Sequence, residues 1–243
     1  MRTGDWMLGP DGKPCRGSLG VLADDVLGYA VVAERPVGHW AVSTEISVDF
    51  SSVLPVDGTT LYAESHAVEF DLIGGLSKGR IVDLLGRTIA LGTERVRFVP
   101  ETPSAPAYSV GAGAFVGPVS LTDSHRLSTA DLLGASTRQT DCGATLELTA
   151  GLPLSNPMGN LHGGISLCAS EIAGLAALQS SSHPLVTASI HIAYLRPVLL
   201  DGKVSFSAKA LHRGRTLGVA QVISHNSAGQ GCTIATVTCH QPW

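Results

Sequence analysis

Two stretches of the chain are apolar almost all the way round a helix, and much of the rest alternates. RGSLGVLADDVLGYAVV (16–32) and HGGISLCASEIAGLAAL (162–178) each predict a long helix with no broad polar face, so both are expected to be buried on most sides. After the second helix, TASIHIAYL, KVSFSAKAL, TLGVAQVIS and CTIATVTC read as β-rich runs, with turn signals at Asp201-Gly202, Arg213-Gly214 and Ala228-Gly229. TRQTDCGATLELTA (137–150) predicts a strand region ahead of that helix, and IVDLLGRTIALGT a strand, a turn at Gly86 and another strand. A helix this apolar needs a cover, which a curled antiparallel sheet supplies. The expected class is α+β.

The helix pattern occurs twice, and so does the strand segment downstream of it. Residues 16–32 lie against 162–178 without a gap, an offset of 162 − 16 = 146, which pairs Gly17 with Gly163, Ala23 with Ala169, Asp25 with Glu171 and Gly28 with Gly174. VSTEISVDFSSVLPVDG (42–58) lies against VTASIHIAYLRPVLLDG (186–202), an offset of 186 − 42 = 144. Two matches in the same order point to an internal duplication. The halves are expected to span 1–100 and 126–243 and to pack side by side as a pseudo-dimer. Between them, 101–125 begins with ETPSAPAYSVGAGAFVGP, the Pro, Ala, Gly and Ser mixture of a linker.

Composition narrows the class. With 44% hydrophobic and 15% charged residues among 243, the chain can bury a sizeable core. A net charge of −4 gives no basic surface for nucleic acid. Five cysteines, Cys15, Cys142, Cys168, Cys232 and Cys239, form no CxxC pair and read as free thiols of a reducing compartment. The start, MRTGDWMLGPDGK, has no apolar run of a signal peptide, and no window of about 18 apolar residues predicts a membrane span. A cytoplasmic protein is expected.

Candidate chemistry gathers at the second helix. His162-Gly163-Gly164 opens it, and a helix N-terminus presents unpaired N–H groups that glycine lets a ligand approach. Such donors can form an oxyanion hole; the same glycines could simply turn the loop into the helix. Glu171 lies in the middle of the apolar helix, where an unpaired acid is costly. Asp25 holds the matching place in the first copy, with Asp24 beside it, and each acid could instead emerge at a polar seam.

Asn156 six residues before His162, then His-Gly-Gly, then an acid nine residues after the histidine, resembles the motif of the PaaI-like hotdog-fold acyl-CoA thioesterases. Val186-Thr187, Tyr194-Leu-Arg-Pro197 and His212-Arg-Gly-Arg-Thr-Leu217 are similar to that family as well, so the likeness covers most of 137–240. The first half departs at the motif, with Arg16-Gly17-Ser18 in place of His-Gly-Gly and Pro10 where the asparagine should stand. The resemblance implies two tandem hotdog domains, a site between the copies, and hydrolysis of an acyl-CoA thioester to a free acid and CoA. CoA is then part of the substrate, with no further cofactor, and the chain is expected to pair again as a homo-oligomer.

Gly163 and Glu171 are eight residues apart, about 12 Å along a helix, too far to act on one carbon. The donor of one copy is therefore expected to work with the acid of the other. One composite site then holds Asn156, His162 and Gly163 with Asp25; a second, with an eroded motif, holds Gly17 with Glu171. In the first, Gly163 N–H and the Asn156 amide polarise the carbonyl, His162 orients the Asn156 loop, and Asp25 attacks or activates water. Ser43 and Thr187 match a hydroxyl that the family uses to place the water, Ser43 being favoured for the Asp25 site. Arg196, Arg213 and Arg215 are candidates for CoA phosphates. A hotdog-fold enoyl-thioester hydratase would want Asp before Asn-Pro and a histidine three residues after the asparagine, whereas Ser155 and His162 stand here; a non-catalytic acyl-CoA-binding module is the other alternative. Gly75-Leu-Ser-Lys-Gly79 matches a nucleophile elbow in letters but precedes a strand, not a helix. No HxxxH or HExxH predicts a metal site.

Overall fold

The computed structural model describes residues 1–101, 127–179, 184–200 and 202–242. Apart from Glu101, the predicted linker 101–125 lies outside the described residues, as does Asp201 of one predicted turn. The first half contains α1 (Gly20–Val32), β1 (His39–Phe50), β2 (Tyr62–Phe70), β3 (Gly74–Val82) and β4 (Thr88–Pro100). The second contains a short α2 (Thr129–Leu132), β5 (Ser136–Thr140), β6 (Gly143–Thr149), α3 (Gly163–Leu178), β7 (Val186–Tyr194), β8 (Lys203–Arg213), β9 (Leu217–His225) and β10 (Gly231–His240).

All the strands join one antiparallel sheet in the order β2-β3-β4-β1-β7-β10-β9-β8-β6-β5. Outward from its middle the first half runs β1, β4, β3, β2 and the second β7, β10, β9, β8, the same sequence of equivalents. The β5–β6 hairpin has no counterpart in the first half, where the segment before α1 makes only isolated bridges such as Arg2 to Thr60.

The junction between β1 and β7 tests the repeat. Equivalent strands paired antiparallel about a two-fold axis must place one residue opposite its own counterpart. Here that pair is Ser47 and His191, an offset of 191 − 47 = 144, matching the strand offset read from the sequence. Their Oγ and Nδ1 lie 2.7 Å apart. Around this axis the inward side chains Ile46, Ile190, Ile192 and Val237 are essentially inaccessible to water, each contributing about 1.5–3 kcal/mol by its burial.

The helices cross inside the sheet. In α3, 13 of 16 residues are buried, which fits the expectation from its composition. In α1 only 5 of 13 are buried, so one flank stays open, with Tyr29 and Asp25 on it. The two N-termini meet at backbone contact: a Cβ on Gly20 would lie 2.3 Å from the Gly164 carbonyl oxygen, and one on Gly164 2.3 Å from the Gly20 carbonyl carbon. No side chain fits there. This approach lays the 3-10 turn that leads into α1 (Arg16–Leu19) beside Glu171, and the first turn of α3 beside Asp24.

Candidate active site between the two halves

Reciprocal hydrogen bonds define the register of the helices. Gly17 N–H donates to Glu171 Oε2 at 2.6 Å, and Gly164 N–H donates to Asp24 Oδ2 at 2.8 Å. The equivalent pairs are therefore Gly17 with Gly164 and Asp24 with Glu171, an offset of 147 (164 − 17 and 171 − 24) rather than 146. The expectation that Asp25 matches Glu171 is corrected by one residue, as is that of Gly17 with Gly163. Arg16 is the counterpart of Gly163, and Cys15 that of His162.

A cavity of about 420 Å³ opens at the Asp24 end. Asp24, Asp25, Ser43, Asn156, His162 and Gly163 all line it, so residues expected from both halves do meet there. Asp24 is buried, whereas the Asp25 side chain is 51% exposed. His162 stands between them, Nδ1 2.9 Å from Asp24 Oδ2 and Nε2 3.1 Å from Asp25 Oδ1. Burial alone would lower the pKa of His162, but hydrogen bonds to Asp24 and Asp25, with their charges, raise it to about 10. Both ring nitrogens then carry hydrogen and donate to the carboxylates. Nδ1 also lies 3.1 Å from Gly164 N, but a protonated nitrogen cannot accept, so the Gly164 N–H belongs to Asp24. A carboxylate from the first half thus caps the helix of the second.

Gly163 lines the same cavity, and its N–H has no partner among the described residues. Its carbonyl accepts from Tyr194 Oη at 2.8 Å, which pins the turn. A Cβ at Gly163 would come 2.6 Å from Asp24 Oδ2 and 3.2 Å from Tyr194 Oη. Asn156 uses Oδ1 to accept from Met158 N–H and Asn160 N–H, at 3.0 and 3.1 Å. That fixes the loop and turns its amide nitrogen into the remaining donor. Its Oδ1 bonds run within the loop, and His162 is tied to the aspartates rather than to Asn156.

Ser43 joins the site as expected, with two residues that sequence reasoning did not choose, Glu94 and Asp24. Ser43 Oγ lies 3.1 Å from Asp24 Oδ1 and 2.7 Å from Oε1 of Glu94, a 1%-exposed acid on β4. Burial, then the neighbouring charge of Asp24, pushes the Glu94 carboxyl well above its ordinary pKa. Its signal was present in the alternation of β4, where Glu94 shares the inward face with Val96 and Phe98. Asp24 was visible only as the neighbour of the residue chosen.

The other end is closed. Glu171 has no exposed surface and accepts from Gly17 N–H, from Arg16 N–H at 3.2 Å and from Cys15 Sγ–H at 3.0 Å, with Thr187 beside it. Burial raises its pKa. The Arg16 guanidinium runs to the Thr187 carbonyl oxygen at 2.6 Å and lies over the Phe50 ring. Thr187 lines a separate cavity of about 260 Å³, which neither Glu171 nor Gly17 borders.

Of the three candidate phosphate ligands, Arg196 lines the first cavity and donates to the Gly231 carbonyl oxygen at 2.8 Å. Arg213 donates twice to the Ala177 carbonyl oxygen, at 3.1 and 2.6 Å, capping the end of α3. Arg213 and the exposed Arg215 border neither cavity. Ser77 of the elbow-like motif is fully buried inside β3.

Residues 158–233 match the sequence profile of the thioesterase superfamily. Across its full length the chain has the fold of two solved proteins. One, from Novosphingobium aromaticivorans, is regarded as a thioesterase: 14% identity, 100% of this chain and 94% of that one, TM-score 0.70. The other is the tesB protein of Mycobacterium avium subsp. paratuberculosis: 10% identity, 100% and 95%, TM-score 0.68. The Escherichia coli PaaI protein aligns with 46% of this chain and 86% of its own at 23% identity and TM-score 0.43. No curated protein is similar enough in sequence to count as a relative. The fold is thus a double hotdog, two tandem domains forming an intramolecular pseudo-dimer. The thioesterase-superfamily match lies within the second domain and includes His162 and Gly163. No helix among the described residues is long and apolar enough to cross a membrane.

Proposed function

We propose that the protein is an acyl-CoA thioesterase that works at one composite site, with its acid from the first domain and its oxyanion donors from the second. The observation that carries the reading is Gly163 at the head of α3, whose N–H has no partner among the described residues and which lines the same cavity as Asp24. A thioester carbonyl oxygen placed there accepts from Gly163 N–H and the Asn156 amide, donors fixed before charge develops. Asp24 is the base. Donors hold both of its oxygens, which suits taking a proton more than leaving those partners to attack carbon. A water beside Ser43 gives its proton to Asp24 as its oxygen bonds to the carbonyl carbon. The tetrahedral intermediate then collapses, its C–S bond breaks as the CoA sulfur takes the proton from Asp24, and the acid is released with the carboxylate restored. His162 holds Asp24, and Asp25 holds His162 from the solvent side. Tyr29, Trp40 and Met158 supply apolar wall for the acyl group, and Arg196 is the one candidate cation at the rim.

At the second site the backbone donor equivalent to Gly163 N–H is occupied, because Glu171 accepts from Arg16 N–H. We read it as structural, and the domains as 1–100 and 126–243.

Thiol release from a panel of acyl-CoAs tests the reading. Asp24→Asn is expected to lower kcat by about 10²–10⁴, and Asp25→Asn by far less. Loss in Asp25→Asn with full activity in Asp24→Asn reverses the assignment. No release from any acyl-CoA, together with tight CoA binding, replaces the enzyme with a binding module.

A further inference from the structure

Ser43 has one hydrogen and two carboxyl neighbours. Its Oγ lies within hydrogen-bond distance of both Asp24 Oδ1 and Glu94 Oε1, yet a hydroxyl donates only once. One of the two contacts must therefore run the other way, with a carboxyl O–H donating to Ser43. Asp24 is the wrong candidate, since it already accepts from Gly164 N–H and faces His162. Glu94 is the right one. Its Oε2 is buried without a partner, a poor setting for an anion and a tolerable one for a neutral acid.

The titratable groups facing Glu94 are Asp24 and Asp25 from α1, His162 from the turn before α3, and Tyr194 from β7. His162 is occupied with the two aspartates. Room for the carboxyl comes from Gly28, where a Cβ would lie 3.2 Å from Glu94 Oε1.

The duplication supplies a control. Ile46 of β1 opposes Glu94, and its counterpart Ile190 of β7 opposes Val237, so valine stands at this place in the second domain. A Cβ at Gly174 would meet Val237 at 2.9 Å, as one at Gly28 would meet Glu94. The closed site does without the acid, and the open one has it.

We propose that Glu94 is a positioning residue that stays protonated and donates to Ser43, fixing the Ser43 hydrogen on Asp24 and leaving one Ser43 lone pair for the attacking water. The chain of bonds runs Glu94 O–H to Ser43 Oγ, then Ser43 O–H to Asp24. Without Glu94, Ser43 turns freely and the water loses its orientation, while binding of the acyl-CoA is unaffected.

The role in turnover rests on the thioesterase reading, but the proton can be tested without it. The first measurement is an infrared difference spectrum of wild type minus Glu94→Gln at neutral pH. A protonated-carboxyl stretch present in wild type and lost in the variant is expected. Its absence overturns the proposal whether or not any acyl-CoA is hydrolysed. In the second, Glu94→Gln, whose amide can still donate to Ser43, is expected to keep kcat within about threefold. Glu94→Val, the residue of the other domain, is expected to lower kcat by about 10–100-fold with KM unchanged. A glutamine variant as inactive as the valine variant means that an ionised carboxylate is required and sinks the idea. A valine variant as active as wild type reduces Glu94 to packing. Should Glu94→Val fail to fold by circular dichroism, the infrared band and the glutamine variant decide.

Discussion

His162 makes the stability of this protein depend on alkaline pH. Its pKa is about 10 in the folded chain against 6.5 ordinarily, so the folded state holds a proton that the unfolded state has lost. Below pH 6.5 both states are protonated and the stabilisation is fully present. As the pH rises it is lost progressively, and it is gone once the folded histidine itself deprotonates near 10. At 1.36 kcal/mol per pH unit the interval sets a ceiling of about 5 kcal/mol. The Asp25 side chain is half exposed, and water screens part of its share, which leaves about 3 kcal/mol. His162→Gln removes the charge without emptying the site. Urea unfolding followed by circular dichroism at pH 6, 7, 8, 9 and 10 should show wild type more stable by about 3 kcal/mol at pH 6 and the two proteins converging towards pH 10. Groups common to both, Glu94 included, cancel in the difference. A gap that stays constant from pH 6.5 to 10 refutes an imidazolium between the aspartates. Turnover should likewise show no inflection near 6.5.

Glu171→Gln should leave thioester hydrolysis within about twofold of wild type in the same thiol-release assay, because the acid is sealed from both cavities. Gly164→Ala should cost about 3 kcal/mol or more and yield little folded protein by thermal unfolding, since the new Cβ meets the Gly20 backbone at 2.3 Å. Arg213→Ala should lower stability by about 1–2 kcal/mol in urea unfolding through the two bonds lost at the end of α3, with KM for acyl-CoA unchanged.

The sequence carried the architecture further than the site. The strand repeat was legible because β-branched runs and their turns fix a register, and its offset of 144 falls on Ser47 and His191. The helices were less legible. Both are built of small apolar residues, so matching letters say little about register, and Gly17 against Gly163 drew the alignment one residue away. One residue on a helix is a rotation of about 100°, enough to choose the half-exposed Asp25 over the buried Asp24. Gly28 and Gly174 nonetheless hold corresponding places against Glu94 and Val237. His162 and Gly163 were legible because a helix start has its own chemistry, and Asn156 only through the resemblance of its spacing to a family motif. The alternation of β4 puts Glu94 on an inward face, but its role was not legible because its partner Ser43 is distant in sequence and on another strand.

Since the open site draws Asp24, Ser43 and Glu94 from one domain and Asn156, His162 and Gly163 from the other, neither domain can substitute for its sibling. Two copies of the first would confront each acid with a Cys15-Arg16 turn; two copies of the second would give every free glycine donor a glutamate, a threonine and a valine as company. At this site the two halves are complementary rather than equivalent. On the proposed composite site, damage to either one would silence the whole chain, where a homodimer with two intact sites would lose only a share of its output.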